Sequence, residues 1–145
     1  MAPKRAAGFL IYRLISNEIQ YLLMKASYGN FHWTPPKGHV DADESDYETA
    51  LRETHEEAGY TEDDLIIYKN LYKILNYQVN GKSKVVIYWL AQLRDATKNP
   101  LLSDEHTEFK FLNKTDAILL CGYKDFANMV EELDVEIKKI HGFNQ

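Results

Sequence analysis

The chain has only one cysteine in 145 residues, and it has no long apolar run. Cys121 cannot form a disulfide within the chain, so the sequence needs no oxidising compartment, and we expect Cys121 to be a buried apolar residue. No stretch approaches the roughly 20 apolar residues that a membrane-spanning helix needs. The first residues also do not contain an adequate apolar segment of a secretory signal. We therefore expect a cytoplasmic or nuclear protein with no membrane partner.

Positive charge is also scarce, because the chain has 17 Lys and Arg residues against 22 Asp and Glu residues, which gives a net charge of −5. Such a surface repels long polyanions overall, so we expect no stable nucleic-acid partner. A local cluster of Lys and His can still bind a small anion. The length and a composition of 45% hydrophobic and 27% charged residues are typical of one globular domain. We expect residues 1–145 to form a single domain and a monomer.

Internal repeats, low-complexity segments and linkers are absent from the sequence, and apolar patterns predict its elements. Strands are predicted at 6–14, 19–26, 65–68, 71–79, 82–93 and within 102–112. Hairpin turns are predicted at Ser16-Asn17 and Asn80-Gly81. The Pro-rich segment 31–38 is predicted to be a loop, and helices are predicted at 45–58, 114–120 and 124–140. This order indicates an α/β fold, an α/β/α sandwich with a central mixed β-sheet.

The most informative of these elements is the first predicted helix. Ser45 and Glu48 have the form of a capping box, and Gly59 stands where a left-handed C-cap is expected. At the helical period the side chains separate into two faces. The small and apolar stripe comprises Tyr47, Ala50, Leu51, Thr54 and Ala58, and the acidic face comprises Glu53, Glu56 and Glu57. We expect the acidic face to lie on the solvent side of the helix.

Each pair of carboxylates at positions i and i+4 destabilises a helix by roughly a few tenths of a kcal/mol, because like charges repel. A divalent cation would offset this cost. Oxygen ligands without a nearby Cys suit Mg²⁺ or Mn²⁺ better than Zn²⁺. From these residues alone, a solvated acidic helix face remains the alternative.

The spacing of seven residues around this face resembles the signature of the Nudix hydrolases over residues 38–60. The matching residues are Gly38, Glu44, Arg52, Glu53, Glu56, Glu57 and Gly59. Thr54 is a mild departure, because the family usually has an aliphatic residue there. The resemblance implies the Nudix fold and the hydrolysis of a phosphoric anhydride by water, with more than one bound Mg²⁺ or Mn²⁺.

The same resemblance implies a role for each acid of the signature. Glu53 is the implied general base or a base that also binds metal, and Arg52 is available to orient it. The implied metal ligands are the carbonyl of Gly38 with Glu53, Glu56 and Glu57. Glu44 is expected to contribute structurally, toward Arg52. A further acid outside the signature often completes the site in the family, and Glu105 is our candidate for it; a plain surface acid is the alternative.

The residues around the signature are similar to the animal diadenosine tetraphosphate hydrolases. The run from Trp33 to Val40, W-T-P-P-K-G-H-V, matches that group, as do segments 75–77, 86–91 and 102–106 in order and spacing. Asp104 departs from the match, because a His is expected there. The resemblance implies asymmetric cleavage of diadenosine tetraphosphate to AMP and ATP. The alternatives are another Nudix substrate (a diphosphoinositol polyphosphate, capped RNA or ADP-ribose) and a non-catalytic nucleotide-binding module.

A dinucleoside polyphosphate requires cations for its phosphates and a flat surface for its base. The available cationic residues are His32, Lys37, His39, Lys82 and Lys84. Tyr77 and Tyr123 match the positions where the group sandwiches the purine, and Tyr28 matches a phosphate-contacting tyrosine. For Lys82 and Lys84 a solubilising role beside the hairpin is the alternative, and for Tyr77 and Tyr123 a purely structural one.

Overall fold

A mixed β-sheet forms the centre of the computed structural model, which describes residues 4–27, 29 and 31–143. The strands are β1 Lys4–Ile15, β2 Glu18–Ala26, β3 Trp33–Thr34, β4 Lys37–His39, β5 Leu65–Val79, β6 Lys82–Leu93 and β7 His106–Leu112. The helices are α1 Asp46–Ala58, α2 Lys114–Cys121 and α3 Lys124–His141, with a short 3₁₀ helix at Glu62–Asp64. None of the helices in the described ranges is long and apolar enough to cross a bilayer.

The main path of the sheet has the strand order β3-β2-β1-β6-β5, while β4 pairs with β1 and β7 pairs with β2. β1 and β6 run parallel, and the other pairs are antiparallel. This arrangement confirms the predicted mixed sheet. β5 joins the two segments that the sequence predicted separately, and an irregularity between Tyr68 and Tyr72 marks their junction.

Both predicted hairpin turns are present. Ser16 and Asn17 have φ angles of 50° and 66°, and Asn80 and Gly81 have φ angles of 53° and 78°. Positive φ at both central residues is characteristic of the tight turns that match the twist of antiparallel strands. These turns fix the β1–β2 and β5–β6 pairings.

Two apolar clusters lie on opposite faces of the sheet, because successive strand residues point in opposite directions. Phe9 and Ile11 of β1 belong to the cluster that includes Ala50 and Ala58 of α1. Leu10 and Tyr12 of the same strand belong to the cluster with α2 and α3, whose contributing side chains include Ala117, Phe126, Met129, Leu133 and Ile137. The predicted α/β/α sandwich is therefore confirmed, with α1 on one side and the C-terminal helices on the other.

The Pro-rich segment differs from the prediction of a loop, because it contains two short strands. Trp33–Thr34 pairs with β2, and Lys37–His39 pairs with β1. Pro35 and Pro36 lie between these strands, where no backbone N–H is needed for the sheet. The prolines thus bend the chain between two strand pairings and bring β4 beside α1.

Candidate active site

The ends of α1 are fixed by the local signals that the sequence contains. The Ser45 hydroxyl accepts a hydrogen bond from the N–H of Glu48 at 3.1 Å, and the Glu48 carboxylate accepts one from the N–H of Ser45 at 2.9 Å. Gly59 has a φ of 75°, and its N–H donates to the carbonyl of His55. The predicted capping box and left-handed C-cap are both confirmed. Ala50, Thr54 and Ala58 face the sheet and are buried, as expected.

β4 crosses α1 at Gly38, where backbone and helix side chain are in close contact. A Cβ atom added to Gly38 would lie 2.0 Å from Cδ of Glu53. Only glycine leaves room for the Glu53 carboxylate against the strand. Burial raises the pKa of Glu53 above its usual value, although Arg52 opposes that shift.

Arg52 forms ion pairs with several carboxylates at this site. Its Nε lies 2.6 Å from Oε2 of Glu44, and its Nη1 lies 3.1 Å from Oε2 of Glu53 and 3.2 Å from Oε2 of Glu56. The hydrogen bond from Arg52 lowers the pKa of Glu44 to about 2. The expected contact between Glu44 and Arg52 is therefore confirmed, and Arg52 reaches two of the predicted metal ligands as well.

Glu57 does not lie on a solvent-exposed face. Its exposed fraction is 7%, whereas the side chain of Glu56 is 55% exposed. The prediction of a solvent-side acidic face is correct for Glu56 and wrong for Glu57, because β4 and the start of β7 cover Glu57. It is also wrong for Glu53, whose side chain lies against β4 and is only 15% exposed. The N–H of Lys37 donates to Oε1 of Glu57 at 3.2 Å. Burial raises the pKa of Glu57 to about 8.

An acidic cavity of about 590 Å³ lies beside α1, β4 and the segment before β7. Its lining comprises Lys37, Gly38, His39, Asp41, Glu53, Glu56, Glu57, Lys84, Ser103, Asp104 and Glu105. The backbone carbonyl of Glu105 accepts the N–H of Ser27 at 2.8 Å, which fixes the segment that brings Glu105 to the cavity. All the predicted metal ligands therefore line one cavity.

The donor atoms of the acidic cavity suit a divalent cation such as Mg²⁺. They are carboxylate and carbonyl oxygens without a cysteine, and the buried charge of Glu57 would be stabilised by a cation. Within the described ranges, no three His, Cys, Asp or Glu side chains are already gathered into a metal-binding group. Instead, Nη1 of Arg52 donates hydrogen bonds to Glu53 and Glu56.

A second, aromatic cavity of about 530 Å³ adjoins the acidic one. Its lining comprises Gly29, His32, Thr34, Lys37, Leu75, Tyr77, Gln78, Asn80, Lys84, Tyr88, Cys121, Tyr123 and Phe126. The rings of Tyr77 and Tyr123 stack with a centroid distance of 5.7 Å and an interplanar angle of 23°. Lys37 and Lys84 line both cavities. The arrangement can accept a flat ring on one side and an anionic chain across the two lysines.

The local environment alters the pKa values of the basic groups near these lysines. Burial lowers the pKa of Lys84 to about 8, and the charge of Lys37 adds to this effect. Burial and the charges of Lys37 and Lys84 also lower the pKa values of His32 and His39. The charges of Lys37 and Lys84 repel each other, so an anionic ligand would be stabilised between them.

Among the predicted ligand-binding residues that the structure describes, Lys82 alone is not brought into this arrangement. Lys82 is exposed beside the β5–β6 turn and is not among the described residues that line either cavity. Tyr28 lies outside the described residues. The remaining predicted binding residues, His32, Lys37, His39, Tyr77, Lys84 and Tyr123, line one or both cavities.

The sequence interpretation missed His106 and Asp41. His106 is buried, and its Nε2 lies 3.8 Å from Oε1 of Glu57. It could have been recognised because it directly follows Glu105 in the matched segment 102–106. Asp41 lines the acidic cavity, and its carboxylate lies 3.4 Å from Nη2 of Arg52. The expected burial of Cys121 is confirmed, and burial raises the pKa of its thiol to about 11.

Comparisons with known proteins show which family the chain belongs to. Asymmetrical bis(5′-nucleosyl)-tetraphosphatase of Sus scrofa is 43% identical over 134 residues, which cover 88% of this chain and 91% of the relative. The protein of the same name from Caenorhabditis elegans is 41% identical over 128 residues, covering 88% and 92%. A crystal structure of a C. elegans Ap4A hydrolase binary complex superposes with a TM-score of 0.91 at 39% identity, covering 94% of this chain and 98% of that one. The NUDIX domain model matches residues 4–133, and the chain therefore belongs to the NUDIX domain family.

Proposed function

We propose that this protein hydrolyses diadenosine tetraphosphate to ATP and AMP within a single domain. The observation that carries the proposal is the junction of the two cavities, where Lys37 and Lys84 line both the acidic and the aromatic side. Such a junction suits a substrate that has a base at one end and several phosphates beside it. The relatives named asymmetrical bis(5′-nucleosyl)-tetraphosphatase, which match most of the chain, support the same substrate.

The acidic cavity would hold the divalent ions that Nudix hydrolases use. We propose Mg²⁺, or Mn²⁺ in its place, with more than one ion held by Glu53, Glu56, Glu57, Glu105 and the carbonyl of Gly38. When bound, such ions neutralise charge on the phosphates and lower the pKa of a coordinated water.

Glu53 would be the general base of the reaction. The contact with Gly38 and the hydrogen bond from Arg52 Nη1 restrict its carboxylate, which positions it as a proton acceptor. In the proposed reaction Glu53 accepts a proton as water attacks a phosphorus adjoining one adenosine. The new P–O bond belongs to AMP, and the bond to the bridging oxygen breaks, so that ATP leaves with the electron pair.

The cationic and aromatic residues would position the substrate. Lys37, Lys84, His32 and His39 would contact phosphates, with Lys82 and Tyr28 as further proposed contacts. The purine would enter between Tyr77 and Tyr123. Because these two rings now stack on each other, they must separate to admit it. Base stacking on an aromatic ring contributes roughly 1–3 kcal/mol.

A substrate comparison tests the proposal. The values of kcat/KM are measured with Mg²⁺ for diadenosine tetraphosphate, ADP-ribose, a diphosphoinositol polyphosphate and capped RNA. We expect diadenosine tetraphosphate to have the highest value and EDTA to abolish its turnover. A tenfold preference for ADP-ribose would overturn the proposed substrate, and nucleotide binding without turnover would overturn the proposed catalysis.

Variants at exposed acids connect this activity to the acidic cavity. Glu56→Gln should lose most turnover with little change in melting temperature, because the Glu56 side chain is 55% exposed. Glu18→Gln is the control, because Glu18 is exposed and lines neither of the two cavities. Near-normal turnover of Glu56→Gln would remove Glu56 from the proposed site.

We further propose a monomer in the cytoplasm or nucleus that has no stable nucleic-acid partner. The net charge of −5 supports the last point, since it disfavours long polyanions. Light scattering coupled to size exclusion would measure the mass in solution. A mass of twice the chain's 16.9 kDa would contradict the monomer.

A further inference from the structure

His106 and Glu57 form a buried pair beside the acidic cavity, which Glu57 lines. The exposed fractions of these residues are 8% and 7%, respectively. Nε2 of His106 lies 3.8 Å from Oε1 of Glu57. His106 begins β7 directly after Glu105, whereas Glu57 is in the last turn of α1. The pair therefore connects the segment that carries Glu105 to the helix that carries the other acids.

The surroundings of the imidazole determine which ring nitrogen carries a hydrogen. Nδ1 of His106 is buried and has no hydrogen-bond partner among the described residues. When Glu57 is ionised, as it is when it binds a cation, a neutral ring with its proton on Nδ1 would bury an unpaired donor and turn the lone pair of Nε2 toward a carboxylate oxygen. A neutral ring with its proton on Nε2 avoids both costs, and a charged ring also carries a proton there. In either form, Nε2–H faces Glu57.

One oxygen of Glu57 is therefore approached by two protein donors. The N–H of Lys37 donates to Oε1 at 3.2 Å, and Nε2 of His106 faces the same atom. The hydrogen bond from Lys37 and the approach of His106 both involve Oε1, so Oε2 is the oxygen of Glu57 that is left for a ligand in the cavity that Glu57 lines.

We propose that His106 is a positioning residue, whose Nε2–H holds Oε1 of Glu57 so that Oε2 is presented to a divalent ion in the acidic cavity. The inference rests on one part of the proposed function, the binding of an ion by Glu57. At 3.8 Å this pair is an electrostatic contact rather than a hydrogen bond, and it would shorten to a hydrogen bond when an ion holds Glu57 in its ionised form. Partners of this kind orient metal ligands, and their loss typically weakens metal binding by about 10- to 100-fold.

Three substitutions of His106 distinguish a side chain that donates a hydrogen bond from one that only fills the buried space. His106→Gln can place an amide N–H where Nε2 lies, whereas His106→Asn can place one only near Nδ1. His106→Leu fills the buried site without any donor. Mn²⁺ binding to each intact, nucleotide-free protein is measured by the loss of the free Mn²⁺ signal in electron paramagnetic resonance.

We expect His106→Gln to bind Mn²⁺ within about twofold of the original chain, and His106→Asn and His106→Leu to bind it about tenfold or more weakly. Equal affinities for Gln, Asn and Leu variants would overturn the proposal, whether all are strong or all are weak. Melting temperatures identify any variant that fails to fold. If Mn²⁺ binding shows the expected difference while diadenosine tetraphosphate is not cleaved, the proposed function fails and the role of His106 stands.

The ring itself provides a measurement that needs no variant. Two-bond ¹H–¹⁵N correlation spectra of the metal-free protein, recorded above the raised pKa of Glu57 so that its carboxylate is ionised, distinguish the nitrogen that carries the proton. We expect His106 to carry its proton on Nε2, which supports the proposal even if the variants are unstable. A proton on Nδ1 alone would overturn it.

Discussion

Gly38 and Glu53 are in direct contact, since a Cβ atom at Gly38 would lie 2.0 Å from Cδ of Glu53 and 2.3 Å from its Oε2. The contact joins β4 to α1 at the position of the proposed general base. Gly38 serves here by having no side chain, because any Cβ would occupy the space of the carboxylate. The position of Glu53 thus depends on a residue of another element.

Gly38→Ala should therefore reduce activity much more than stability. The clashing atoms are the end of a flexible side chain, so the Glu53 carboxylate can move away without disturbing the backbone. We expect kcat to fall by about 100-fold, the order of loss that misplacement of a catalytic group causes. The melting temperature should change little. Steady-state kinetics and thermal unfolding on the same sample measure both quantities.

A double-mutant cycle provides the control for this explanation. In a Glu53→Ala background the clash has been removed, so Gly38→Ala should cause little additional loss of kcat. If Gly38→Ala reduces kcat by the same factor in both backgrounds, the contact with Glu53 does not explain its effect.

The burial of Glu57 predicts a pH dependence of stability in metal-free buffer. Burial raises its pKa from 4.5 to about 8 in the folded protein. Between these two values the folded state binds more protons at Glu57 than the unfolded state does. The free energy of unfolding should therefore fall as pH rises across this window, with a slope from Glu57 of at most about 1.4 kcal/mol per pH unit.

Glu57→Gln should remove this contribution. Urea unfolding in EDTA from pH 5 to pH 8 compares the variant with the original chain, and the difference isolates Glu57 from histidines common to both. We expect the variant to gain stability relative to the original chain as pH rises. Parallel pH profiles for the two proteins would contradict the raised pKa.

We expect the tyrosines of the aromatic cavity to contribute to the affinity for substrate. Tyr123→Ala should raise KM for diadenosine tetraphosphate by about tenfold and change kcat less, because base stacking is worth roughly 1–3 kcal/mol. Tyr77→Ala should have the same direction of effect. Tyr72→Ala is a matched control, since Tyr72 is 48% exposed against 47% for Tyr123 and lines neither of the two cavities. An unchanged KM in Tyr123→Ala would show that Tyr123 does not stack on the base.

Replacing either of two buried threonines of α1 by valine should change stability, but in opposite directions. The Thr54 hydroxyl has no hydrogen-bond partner among the described residues, whereas the Thr49 hydroxyl donates to Oε1 of Glu44 at 2.8 Å. Thr54→Val should raise the free energy of unfolding by about 1 kcal/mol, because it removes an unpaired buried group. Thr49→Val should lower it by about 1 kcal/mol, because it removes a hydrogen bond to a carboxylate. Urea unfolding measures both, and destabilisation by Thr54→Val would indicate an additional partner for its hydroxyl.

The parts of the structure that were predictable from the sequence depend on local rules. Ser45, Glu48 and Gly59 fix the ends of α1 through contacts within a few residues. The two hairpin turns follow from their own dipeptides. The sandwich follows from helical and strand periodicity, because each element has an apolar side that must be covered.

The parts that differed from the prediction depend on contacts between distant segments. Glu57 is buried by Lys37 and His106, which are 20 and 49 positions away, and no periodicity within α1 indicates those neighbours. The same holds for the pairing of β4 with β1. His106 was missed although it directly follows Glu105, because its contact with Glu57 joins segments that are 49 positions apart.

The most direct measurement of the central claim is the hydrolysis of diadenosine tetraphosphate in ¹⁸O-labelled water with Mg²⁺, followed by mass spectrometry of the products. The account predicts ATP and AMP, with the label in AMP alone, because water attacks a phosphorus adjoining one adenosine. Label in ATP, or ADP as the main product, would contradict it.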